Sequence, residues 1–177
     1  MRRRKILVIG YGNPGRLDDG LGPACAEQIE ALGLPGVSVD ADYQLNVEHA
    51  AAAARHDVVV FADASVDGEA PFSFTPLAPA AEIGFTSHSV APAAVLAVAR
   101  TLFDSGVQGF ALGIRGYRFN EFGEALSRRA RQNLSAAVGF LDEIIRGDRF
   151  GEFAGGAESD VPEEPRVVID VTRADMN

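Results

Sequence analysis

The chain has 177 residues, 47% of them hydrophobic, with a formal net charge of −9 and one cysteine. That fits a single globular domain with a sizeable core; the acidity excludes a phosphate backbone as partner, and a lone Cys25 excludes an internal disulfide. Arg2-Arg3-Arg4-Lys5 precedes an apolar run too short for a signal peptide, and no stretch is apolar enough to span a membrane, so a cytoplasmic protein is expected.

The first element is Ile6-Leu7-Val8-Ile9, short and β-branched enough for a strand buried on both faces. Gly10, Gly12 and Gly15, with Asn13 and Pro14 between them, turn the chain, and two adjacent carboxylates follow, Asp18 and Asp19. The glycines match the spacing GxGxxG, for which Asp40 or Asp42 could serve as ribose acid. That reading needs a helix to begin within the glycines. Pro14 and Gly15 oppose it, and Asp18-Asp19 would repel pyrophosphate. A plain turn with surface aspartates, one of them capping a helix, is the simpler alternative.

From Asp19 to Leu32 the pattern predicts a helix with Leu21, Cys25, Ile29 and Leu32 on one face, Cys25 being a core residue. Gly33, Pro35 and Gly36 end it. Val37–Tyr43 alternates as a second strand, and Gln44–Ala54 reads as an alanine-rich helix. Val58-Val59-Val60-Phe61-Ala62 is the clearest strand and ends at Asp63-Ala64-Ser65. Phe72–Leu77, with its prolines, suggests an edge strand.

Thr86-Ser87-His88-Ser89 then precedes an apolar helix over Pro92–Phe103, which Ser87 or Ser89 can cap. His88 therefore falls near a helix amino end, whose dipole favours the neutral, metal-binding imidazole. Gly109–Ile114 reads as a fifth strand. Leu126–Ile145 reads as a final helix, with Leu134, Val138, Leu141 and Ile145 as its buried stripe and Arg128, Arg129 and Arg131 on its solvated face. Residues 1–146 form the expected domain, and 147–177 an acidic Gly- and Pro-containing tail, expected to be flexible.

Alternating strands and helices predict a three-layer αβα fold around a mostly parallel, mixed five-stranded sheet of the phosphorylase/hydrolase-like kind. In it Asp19, Asp63 and His88 end elements that can share one crevice. Two carboxylates and an imidazole make a partial shell for a borderline ion such as Ni²⁺ or Zn²⁺. There is no HExxH, paired-cysteine or GxSxG motif.

The string GYGNPGRLDDGLGP resembles the opening of the hydrogenase maturation endopeptidases, usually GxGNxxxxDDGxG. VVVFADAS, FTSHSVAPAAVLAVA, GIRGY and FGEALS resemble later motifs of that family in the same order, covering about residues 5–146. The GNPG core is also similar to peptidyl-tRNA hydrolases, but none of His49, His56 or His88 lies where those enzymes need a histidine.

The first resemblance implies an endopeptidase that clips the carboxy-terminal extension from a nickel–iron hydrogenase large-subunit precursor after nickel insertion. Nickel would be borne by the substrate, with another divalent metal as the alternative. The family's metal contacts fall on Asp19, Asp63 and His88, with Asp19 standing where some members have glutamate. Asp19, Asp63 and Asp18 are the expected catalytic residues, with Asp18 or Asp19 as a possible general base. Gly12, Asn13 and Gln44 are the expected substrate contacts, and the protein is expected to act as a monomer. A peptidyl-tRNA hydrolase-like or nucleotide-binding domain is the alternative.

Overall fold

The computed structural model describes residues 2–81 and 90–156. Five strands form one sheet: β1 (Ile6–Tyr11), β2 (Val37–Asp42), β3 (Val58–Ser65), β4 (Phe72–Leu77) and β5 (Gln108–Arg115), in the order β2-β1-β3-β5-β4. Neighbouring strands run parallel except β4, which pairs antiparallel with β5 at one edge. Pro76 sits in this edge strand, where a missing ladder donor costs least. The helices are α1 (Leu21–Ala31), α2 (Glu48–Ala53), α3 (Pro92–Phe103) and α4 (Arg128–Gly147).

The continuous apolar runs are explained by two cores. In β1 and β3, Ile6, Val8, Val58 and Val60 point to the layer of α1 and α4, where Leu21, Ile29, Leu134 and Leu141 meet them. Leu7, Ile9, Val59 and Phe61 point to α2 and α3, against Ala50, Ala53, Val95 and Ala99. A period of two with both faces covered leaves no polar position in the strand. Cys25 lies fully buried in the first core, and burial pushes its thiol up to about 12, so it is inert packing.

Several expected boundaries shift. A 3-10 turn over Leu17–Gly20 precedes α1, so the helix begins at Leu21, well beyond the glycines, and the condition for dinucleotide binding is not met. Leu32, expected on the buried face, is 41% exposed. Ala91 stands at the N-cap position of α3, ahead of Pro92, while Ser87 and Ser89, the expected caps, lie outside the described residues. Arg128, Arg129 and Arg131 are exposed as expected, and the Arg129 guanidinium lies 4.1 Å from the Tyr117 ring centre.

The tail boundary is corrected as well. Phe150–Gly156 forms a second 3-10 segment, and Phe150 is fully buried, packing near Phe74 and Phe110. Burying a phenylalanine contributes about 2–3 kcal/mol. These residues therefore belong to the domain; the rest of the expected tail, from 157, lies outside the described residues. Among the described residues no helix is long and apolar enough to cross a membrane.

Candidate active site

The site is built where β1, β3 and β5 end at the same sheet edge. The turn after β1 is shaped by close approach. At Gly12, φ is 140°, and a β-carbon would stand 2.1 Å from the Asp19 carbonyl oxygen, so only glycine fits. The Gly12 amide donates to the Asp42 carbonyl at 3.1 Å, tying the turn to the end of β2. The Asn13 amide donates to Asp19 Oδ2 at 2.9 Å, and Asn13 Oδ1 accepts from the Gly15 amide at 2.9 Å. Asn13 thus orients Asp19 and its own turn.

The two adjacent aspartates have opposite surroundings. Asp18 is fully buried. Its Oδ1 accepts from the Ser127 amide at 2.7 Å; its Oδ2 accepts from the amides of Tyr117 and Arg118 and from the Ser127 hydroxyl, at 2.8, 3.0 and 2.7 Å. Burial raises the carboxyl's pKa, but these donors outweigh it and hold the group below the ordinary carboxylate value. Its lone pairs are spent on the 116–127 loop, so Asp18 does not fit the expected roles of catalytic residue and base. It is a structural anchor.

Asp19, by contrast, is partly exposed and forms no ion pair among the described residues. Asp63 lies in the last part of β3, beyond the end of its pairing with β1 at Gly10↔Ala62, and opposite Gly113 of β5. The strand does not stop before it, as the run of valines suggested, and Tyr11, the last residue of β1, places its hydroxyl against the Asp63 carboxylate. Burial pushes the Asp63 carboxyl up to about 6; the Ala64 amide and the Tyr11 hydroxyl pull it down, and the Asp19 charge pushes it up. Tyr11 is the reciprocal case: burial first, then the Asp63 charge, raise its phenol well above the usual value.

The structure therefore brings Asp19 and Asp63 within electrostatic reach of each other. His88, the third expected ligand, lies outside the described residues. Among the described residues no group of three or more His, Cys, Asp or Glu side chains could hold a metal ion. Gly12 lines an open groove of about 430 Å³ with Pro14, Pro23, Ala41, Asp42 and Tyr43. Asn13 supports the turn beneath it, whereas Gln44 is exposed and outside that lining. Sequence reading missed Tyr11, whose only signal is its place at the end of β1. It also missed Asp42 as a groove residue, weighing it only as a ribose acid.

The fold is that of the nickel–iron hydrogenase maturation proteases. The chain is similar to the NiFe hydrogenase maturation protease HycI from Thermococcus kodakarensis KOD1, at 21% identity over 81% of this chain and 94% of that one, with a TM-score of 0.64. It is likewise similar to the hydrogenase 2 maturation peptidase from Thaumarchaeota archaeon SCGC_AB-539-E09, at 22% identity, 82% and 99% coverage, and a TM-score of 0.59. The hydrogenase maturating endopeptidase HybD from E. coli gives 18% identity, 82% and 94% coverage, and a TM-score of 0.60. No protein-family model matches the chain, and no curated protein matches it.

Proposed function

We propose that this protein is an endopeptidase that removes the carboxy-terminal extension of a nickel–iron hydrogenase large-subunit precursor once nickel has been inserted. The observation that carries the reading is the placing of Asp19 and Asp63 within electrostatic reach of each other, without a cationic partner among the described residues, at the carboxyl edge of a fold whose solved examples include hydrogenase maturation proteases. Carboxylate oxygens joined by the His88 imidazole are a donor set suited to a borderline ion, and the ion recognised is the one the substrate carries.

Substrate-borne nickel supplies Lewis-acid polarisation to such a site. The residues of this chain do the rest. The Asn13 amide holds Asp19 in place. Asp63, whose carboxyl burial pushes up to about 6, is largely ionised at neutral pH and so offers its oxygens to the incoming ion. Asp18 keeps the turn in register with the 116–127 loop and takes no part in proton transfer.

The test is incubation with nickel-loaded and nickel-free large-subunit precursor, followed by mass measurement. Loss of a carboxy-terminal peptide from the nickel-loaded form alone is expected. An intact nickel-loaded precursor after long incubation defeats the reading.

A further inference from the structure

His49 is buried, 4% exposed, yet the chemistry above makes no use of it. Its Nδ1 accepts from the Asn46 amide at 3.0 Å, which places the ring proton of the neutral imidazole on Nε2. Nε2 points between two carboxylates, 3.7 Å from Asp40 Oδ2 and 3.9 Å from Asp42 Oδ2. These separations are beyond hydrogen-bond distance, so the ring faces the two carboxylates without bonding them, and its one direct hold on this loop is the Asn46 amide.

The same loop fixes Asp42 from other directions. Asp42 Oδ1 accepts from the Tyr43 amide at 2.6 Å, and Oδ2 accepts from Asn46 Nδ2 at 3.2 Å. Asn46 Oδ1 in turn accepts from the Glu48 amide at 3.0 Å, at the start of α2. The carboxylate is thus held before any ligand arrives, yet it is 38% exposed and lines the groove beside Gly12. Among the described residues no Lys or Arg lies within ion-pair distance of Asp40 or Asp42.

We propose that Asp42, held by Asn46 with His49 anchoring Asn46 from behind, is the specificity residue of this groove and takes a cationic side chain of a peptide substrate. Pro14, Pro23, Ala41 and Tyr43 offer apolar walls for a methylene stem and an aromatic face for a guanidinium, and Asp42 offers the counter-charge. Arginine fits best, because its planar fork both stacks and pairs with a carboxylate. The proposal rests on the peptidase reading only in taking polypeptide as the occupant.

The experiment separates the two. The full-length protein is titrated with acetyl-Ala-Arg-Ala-amide and with the same peptide carrying neutral citrulline, following the Asp42 and Tyr43 amide signals by NMR. The arginine peptide should bind about tenfold more tightly, a preference lost in Asp42→Asn. His49→Asn, which keeps an acceptor near Nδ1 for the Asn46 amide, should retain most of the preference, and folded His49→Leu should lose it. Equal binding of the two peptides by the wild type overturns the proposal. Full preference in folded His49→Leu overturns the role of His49. Cleavage of precursor is scored separately, so an inactive protein that still prefers arginine would sink the peptidase reading and leave the groove.

Discussion

Asp18 and Asp19 are neighbours in sequence and opposites in setting. One is buried and accepts four hydrogen bonds from a loop about a hundred residues away; the other is partly exposed and held by a single amide from Asn13. The difference teaches that a doubled carboxylate motif divides its labour. One member is used to build the edge, which leaves the other half-exposed beside it. Identical side chains take different roles because their donors differ, not because their chemistry does.

The sharpest way to break this comparison is to remove the free charges. Asp19→Asn and Asp63→Asn keep size and lose charge, and each should lower precursor cleavage by about 10³-fold while the circular dichroism spectrum stays that of the wild type. Near wild-type cleavage by either folded variant would put the chemistry elsewhere. Asp18→Ala should do the reverse, leaving three amides and a hydroxyl without their acceptor and costing about 3 kcal/mol. In a chain of this size that lowers the thermal midpoint by about 6–12 °C. A midpoint within a degree of the wild type would mean that the 116–127 loop finds other partners.

The smallest effect concerns Asp63 alone. Its carboxyl titrates near 6 when folded and near 3.8 when unfolded. Between these values the folded state keeps a proton that the unfolded chain has released, so stability falls as pH rises through the window and stays lower above it. Asp63→Asn removes that loss. Thermal melts should show the variant a few degrees more stable than the wild type above about pH 6 and equal to it below about pH 4. A variant less stable at neutral pH would show that Asp63 holds the edge together, as Asp18 does.

Much of this fold is legible in sequence because its signals are local. The runs Ile6–Ile9 and Val58–Ala62 mark strands covered on both faces, and the apolar stripe of α4 marks the helix that packs across the sheet. Asp19 and Asp63 stand out in the sequence as candidates because they follow such elements. What stayed hidden depends on distant partners. Nothing near Asp18 announces Tyr117 or Ser127, so the sequence leaves it a candidate base beside Asp19. Phe150 sits among glycines and acids that read as tail, and only the aromatic pocket of Phe74 and Phe110 reveals it as core. His49 looked like one more residue of an alanine-rich helix, because its acidic neighbours lie on β2.

The Asp18–Ser127 bond spans 109 positions of chain, and this has a consequence for synthesis. At about 5–20 residues per second, a ribosome needs on the order of 5–20 s between making the carboxylate and making its partner. Until then the turn bearing Asp19 has nothing to close against, and a nascent chain carries its carboxylates without an assembled cleft. Such long-range closures form late on the folding route. Asp18→Asn should therefore accelerate unfolding and leave the refolding rate nearly unchanged in stopped-flow chevrons. Slowed refolding would instead place this closure in the nucleus, making the cleft one of the first parts of the molecule to exist.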